Sequence, residues 1–264
     1  MNVPPPNDPI AAVTHPDPYP YYAALALAER PEWNERLGMW VAANPAHVAA
    51  ILRHPDARVV APPDAPAGFA DYARFNDGER HAALRAEVLE RIAAVRLDDP
   101  PIATADLDAF VERYALYAMA RDLRAMVKGD LLFQSYDATR GLIGNALAAI
   151  AADPGLDAAA AVAHALRYDP PVHNTRRRMA ADAEIAGAAL RAGDTVLLVL
   201  VTMTFGAGEH ACPGDAVATR IAEMAVRRVL ADGIELREPA GYVERPNVRI
   251  PLFDRPGGTV LPPT

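Results

Sequence analysis

Cysteine is almost absent from this chain: of its 264 residues only Cys212 carries a thiol. That excludes an internal disulfide framework and fits a reducing compartment. Positive charge is short as well. Lys and Arg total 26 against 34 Asp and Glu, a net charge of −8, and an acidic chain lacks the basic face that sequence-independent nucleic-acid binding needs. Aromatic residues are only 6%. Long hydrophobic runs are missing: the longest, TVLLVLVTM at 195–203, is too short to span a bilayer. The opening MNVPPPNDPI has neither the basic nor the apolar block of a secretory signal. These shortages point to a cytoplasmic chain. What is plentiful is apolar side chain, 52% of residues, enough at this length to bury a real core.

The pattern reads as mainly α with small β-sheets. Residues 1–18 are Pro-rich and expected to be an irregular arm. Helices are expected over 21–29, 45–55 (begun and ended by Pro), 77–96 with Asp77 as N-cap, 106–126, 130–151, 157–168 and 213–231. Strands are expected at 37–43, in a hairpin of AEIAGA with DTVLLVLV turning at Gly193, and within 248–253, while 61–68 reads as a loop. In 130–151 an apolar stripe runs through Leu132, Tyr136, Thr139, Ile143, Leu147 and Ile150, beside a shallow stripe of Ser135, Ala138 and Leu142. Gly141 and Gly144 each cost about 1 kcal/mol relative to Ala inside a helix, so each implies a packing or cavity constraint. The whole of 1–264 is expected to form one domain.

The lone thiol sits in FGAGEHACPG, residues 205–214. Pro213 suits the first position of a helix, which makes Cys212 its N-cap, and a thiol at a helix N-terminus is biased toward thiolate. Asp215 suits the first turn. Three readings follow: a nucleophile, a metal ligand, or a small apolar cysteine at a helix start. The first needs a general base, and His210 is only two residues away. The second, as zinc, needs further ligands at metal spacing. Glycines at 206, 208 and 214 add the freedom to wrap backbone closely around one sulfur or one flat ligand.

FGAGEHACPG also resembles the haem-thiolate loop of the cytochrome P450 family, Phe-Gly-x-Gly-x-His-x-Cys-x-Gly, at all six fixed positions: Phe205, Gly206, Gly208, His210, Cys212 and Gly214. The resemblance implies haem b as cofactor with Cys212 as the axial thiolate on its iron, a ligand that favours O–O cleavage. It implies that Phe205 covers the sulfur and that His210 reaches a haem propionate. Other segments resemble the family in the same order. NDGERHAALRAEV is similar to the helix that brings a His and an Arg to the propionates, here His81 and Arg85. ALRYDPPVHNTRRRMA is similar to the segment that supplies another propionate arginine, best matched by Arg176. LLFQSYDATRGLIGNALAAI is similar to the long helix over the haem, with Ser135 and Ala138 toward the oxygen pocket and catalytic roles at Asp137 and Thr139.

The chain departs from the family in three ways. It is much shorter, with the block of helices that roofs the substrate pocket reduced to some thirty residues before 130. The family's Glu-x-x-Arg reads His164-Ala-Leu-Arg167, so a buried Arg167 lacks its carboxylate and His164→Glu is expected to restore an ion pair. The acid–alcohol pair falls on Asp137 and Ala138, with Thr139 turned about 100° further round the helix. The resemblance therefore implies a reduced haem-thiolate oxidoreductase: a monooxygenase inserting one oxygen atom of O2 or peroxide into a small organic substrate, with a ferredoxin or flavodoxin-type electron donor. The alternative is a non-catalytic or degenerate haem-binding or interaction protein of the same fold. Arg220, Arg227 and Arg228 suit either an acidic partner or a solvated helix face. A trimmed roof would bare apolar surface, favouring a homo-oligomer or partner chain.

Overall fold

The computed structural model describes residues 3–61, 68–123 and 130–254. The expected loop at 62–67 and the expected helical residues 124–126 lie outside that set, as does the side chain of Leu132. The arm to residue 18 is irregular apart from a 3-10 turn at Ala11–Thr14. Seven helices are present among the described residues: α1 (Tyr19–Ala26), α2 (Pro45–Arg53), α3 (Gly78–Ala94), α4 (Leu107–Leu123), α5 (Asp130–Ala152), α6 (Ala158–Tyr168) and α7 (Asp215–Asp232). Their ends follow local chemistry. Pro45 opens α2 behind Asn44, whose side chain accepts from Ala46 N at 3.0 Å. Asp157 caps α6 through Ala160 N at 2.8 Å. Gly233, at φ 66°, ends α7 in the left-handed conformation that a Cβ disfavours.

The main sheet has five strands in the order β1–β2–β7–β4–β3: β1 (Glu32–Asn34), β2 (Met39–Ala42), β3 (Ala57–Arg58), β4 (Asn174–Met179) and β7 (Thr195–Val199). β2 and β7 are parallel, with Trp40 opposite Val196, and β4 lies antiparallel to β7 with Arg177 opposite Val196. Two small hairpins stand apart: β5 (Ala183–Ile185) with β6 (Ala188–Leu190), and β8 (Gly241–Tyr242) with β9 (Pro251–Leu252). The expected hairpin is thus corrected. The AEIAGA segment turns at Ala186–Gly187 and pairs with β6. Gly193 turns the chain back so that β7 pairs with β4 instead. The arginine-rich β4 gave no apolar alternation in sequence; its neighbours in the sheet make it a strand.

Two cores result. Helices α3 to α7 bury one around Phe110, Tyr114, Leu142, Ile143, Leu147 and Val226. The sheet and α2 bury another around Ile51, Leu190, Val196 and Leu198. The α5 glycines serve packing. A Cβ at Gly141 would lie 2.5 Å from Arg249 O and 2.8 Å from Pro171 Cβ, and one at Gly144 2.9 Å from Pro251 Cδ. Their absence lets the segment that carries β9 lie directly against α5.

That segment carries a buried cation. Arg249 is 2% exposed. Its guanidinium donates to the carbonyls of Val13 (2.9 Å), His15 (2.7 Å) and Pro16 (3.2 Å). Nε makes an ion pair with Asp169 at 2.9 Å, and the group lies over the Tyr242 ring. Asp169 also accepts from Tyr19 Oη. The buried cation is therefore paired and its donors largely used, as burial demands.

Candidate functional site

A cavity of about 350 Å³ lies between the two cores, within the range of small-molecule and cofactor sites. Its walls come from α3, α5, β4, the 205–214 loop and the start of α7. The loop is held in a tight, unusual shape. Cys212 N donates to Phe205 O at 2.8 Å and Gly206 N to Met203 O at 2.8 Å. Phe205, Gly206 and Gly208 have φ of 72°, 69° and 75°. A bulky residue at positive φ is strained, and Phe205 is one of two such non-glycine residues among those described. A Cβ on Gly208 would come within 3.0 Å of Leu52 O on α2, so glycine there permits the close approach.

Cys212 lines the cavity and is open to it. It is not the helix N-cap: α7 begins at Asp215 behind Gly214. The expected bias toward thiolate is also reversed. Desolvation by the cavity walls pushes the thiol pKa up, against the lowering effect of a backbone hydrogen bond with Gly214 and of nearby Arg85. The sulfur is a protonated thiol at neutral pH until something replaces its proton.

Basic residues gather on the same cavity. His81 is 2% exposed, and its ring lies 4.1 Å, centroid to centroid, from that of His210. Burial lowers the pKa of both, so both are neutral at pH 7. His210 Nε2 lies 3.2 Å from Asp77 Oδ1; since a carboxylate only accepts, that nitrogen carries the hydrogen. Asp77 occupies the N-cap position of α3 without capping it, its side chain instead accepting from Val59 N at 3.2 Å. This orienting role of Asp77 was not visible in sequence. Arg85 lines the cavity one turn beyond His81, as their i, i+4 spacing requires.

The third expected cation is corrected. Arg176 is exposed, on the face of β4 away from the cavity. Arg177 is the inward residue: it is 5% exposed, lines the cavity, and has its pKa lowered by burial. Adjacent strand residues point to opposite faces, and only the register against β7 tells which of the three arginines faces in. Arg177 donates through Nη1 to Arg176 O at 2.9 Å, while its buried Nε has no hydrogen-bond partner. No Asp or Glu lines the cavity among the described residues.

One further grouping was not legible from spacing. His81, Glu209 and His210 bring one ligand atom each within 4.8 Å of one another. Arg85 and Arg177 act on the two histidines with positive charge, which opposes a bare dication there.

Ser135, Ala138, Thr139 and Leu142 of α5 supply another wall of the cavity. Thr139 is 2% exposed. Asp137 is not on this wall. Its carboxylate pairs with Arg245 at 2.9 Å on the other side of the helix. The proximal motif is displaced as well: His164 and Arg167 are exposed on α6, stacked on Tyr168 at 4.8 and 5.2 Å, so Arg167 needs no buried carboxylate. On α7, Arg227 pairs with Glu223 and Arg228 with Asp232 and Asp99, while Arg220 is exposed.

No protein-family model matches the sequence, and no curated protein matches it. Solved structures do match. The chain resembles CalO2 with a TM-score of 0.66 at 19% identity, covering 95% of this chain and 97% of that one. It resembles cytochrome P450 CREJ in complex with (4-ethylphenyl) dihydrogen phosphate with a TM-score of 0.60 at 18% identity, covering 89% and 95%. For CYP109E1 from Bacillus megaterium in complex with testosterone the TM-score is 0.63 at 14% identity, covering 89% and 97%. The fold is a shortened cytochrome P450 fold. In this P450 fold the connection from α3 to α4 is residues 95–106 alone, without a helix. The P450 fold thus keeps the cysteine loop, α3 and α5 around one cavity while its roof is cut down. Among the described residues no helix is long and apolar enough to cross a membrane.

Proposed function

We propose that this chain is a haem-thiolate oxidoreductase in which Cys212 ligates the iron of haem b and the basic cavity wall holds its propionates. The observation that carries this reading is Arg177, whose buried Nε lacks a partner on a wall shared with His81, Arg85 and His210, in the same cavity as Cys212. A buried guanidinium donor left unmatched costs about 1–3 kcal/mol or more. An arriving carboxylate removes that cost and forms a charge-assisted hydrogen bond. Arg177 therefore takes the place expected of Arg176.

Each residue has a task. Cys212 gives up its proton on ligation, which couples haem uptake to proton release. Phe205 and the loop's hydrogen bonds fix the sulfur's position. Arg85, Arg177 and His81 bind the two carboxylates, while His210, whose one N–H goes to Asp77, packs on His81 and holds its ring in place. Bound haem supplies the dioxygen chemistry of a monooxygenase, RH + O2 + 2 e⁻ + 2 H⁺ giving ROH and H2O. Thr139 holds a proton at its hydroxyl on the cavity side of α5; Asp137, committed to Arg245, stays out of the site. A ferredoxin or flavodoxin-type donor in the cytoplasm supplies the electrons, or peroxide replaces both donor and dioxygen. The substrate is a small organic molecule.

A second reading, a haem-binding relative without turnover, draws on Ala138 in the alcohol's place and on Asp137 facing away. One experiment separates them. The protein is reconstituted with haem, reduced and exposed to carbon monoxide. The expected result is a red-shifted Soret band, absent in Cys212→Ala. No haem uptake sinks both readings; a thiolate spectrum without product from peroxide or reduced ferredoxin leaves the second.

A further inference from the structure

One cation in the cavity is left over once the propionates are served. Arg74 sits in the 3-10 turn Ala73–Phe75 and lines the cavity. Its guanidinium lies 5.0 Å from the Phe75 ring centroid, and among the described residues it has no ion pair. The acids near it in sequence are committed elsewhere: Asp71 pairs with Arg80 at 3.0 Å, and Asp77 holds His210 and Val59 N. Arg177 feels the opposite charges of Asp77 and Glu209 as well as the like charge of Arg74. Arg74 has no such partner: it is an exposed residue that borders the cavity, and the walls beside it partly desolvate the guanidinium and lower its pKa. The cavity also has apolar lining, in Val59, Ala73, Val88, Ile92 and Leu142. A guanidinium backed by an aromatic ring at the border of such a cavity is built to take a carboxylate through paired N–H groups.

We propose that Arg74 selects the substrate: a carboxylate-bearing molecule with an apolar body, its anionic end at Arg74 and its chain along α3 and α5. This rests on the haem reading, in which Arg85, Arg177 and His81 are occupied by propionates.

The test is calorimetric titration of the haem-loaded protein, its loading first verified spectroscopically, with decanoate and separately with decanamide, which keeps the chain and removes the charge. Decanoate is expected to bind at least about tenfold more tightly. Arg74→Gln is expected to bring the two within about twofold while haem content and thermal midpoint stay unchanged, and Arg74→Lys to keep part of the preference. Equal affinities in the wild type overturn the proposal, as does undiminished preference in Arg74→Gln. Haem loss in both Arg74 variants overturns it too, since Arg74 would then serve the propionates. A chain that takes up no haem fails earlier, before any ligand is added, and takes this inference with the reading beneath it.

Discussion

Arg176 and Arg177 are neighbours in the chain and occupy opposite faces of β4, one exposed and one 5% exposed on the cavity. Arg177→Gln is expected to weaken haem binding by at least about tenfold, the worth of one charge-assisted hydrogen bond. Arg176→Gln is expected to change it by less than about twofold, because a solvated side chain on the far face contributes little. Haem transfer to apomyoglobin measures both. Equal losses would refute the assignment of the inward face.

His164→Glu follows from the exposed position of α6's outer face. Both His164 and Arg167 are exposed, so a new pair there is a surface ion pair, worth about 0–1 kcal/mol. The expectation of a buried ion pair restored does not survive the structure. Urea unfolding should give free energies for wild type and His164→Glu that differ by no more than about 1 kcal/mol, with equal haem content. A gain of several kcal/mol would mean that Arg167 is buried.

The fold should weaken with acid through His173. This ring is fully buried, 2.9 Å from Tyr22 Oη, and burial, helped by Arg249, pushes its pKa down to about 3. An unfolded histidine titrates near 6.5. Between those values the unfolded chain binds the extra proton, so this contribution to stability is complete above about pH 6.5 and is lost as pH falls toward 3. The slope from this one group is at most about 1.4 kcal/mol per pH unit. His81 and His210 shift in the same direction, whereas Asp169, raised by burial, acts in the opposite one. Comparing wild type with His173→Gln by urea unfolding from pH 7 to pH 4 isolates the term. The variant should start less stable and lose stability more slowly. Parallel curves would exclude His173 as a source.

The sequence made some parts of this molecule legible and others not. The cysteine loop, the His81–Arg85 spacing and the α5 stripe of Ser135, Ala138 and Leu142 are local patterns, and local patterns survive folding: all lie on one cavity. Thr139 was placed on the apolar stripe and proves both buried and cavity-lining. What failed needed non-local information. The choice between Arg176 and Arg177 depends on strand register. Asp77 looked like a helix cap and instead holds His210, 133 residues away. The reversal of the Cys212 pKa comes from desolvation by the folded cavity walls, which outweighs the Gly214 hydrogen bond and the charge of Arg85. Arg249, the best-buried arginine among the described residues, stood in a stretch read only as short strand; no pattern announced that three carbonyls of the arm would converge on it.

That convergence sets an order of assembly. Arg249 follows Val13 by 236 residues, so the arm's carbonyls have no partner until nearly all the intervening chain has been made. The arm is made well before the cation that its carbonyls bind. Closing so large a loop is slow and entropically costly, and until it closes Asp169 and the Tyr19 hydroxyl share a site without its cation. Arg249 is in this sense a latch: a chain interrupted before it leaves the carbonyls of Val13, His15 and Pro16 without their donor, and the arm keeps only its earlier ties, such as Asp8 with Arg36.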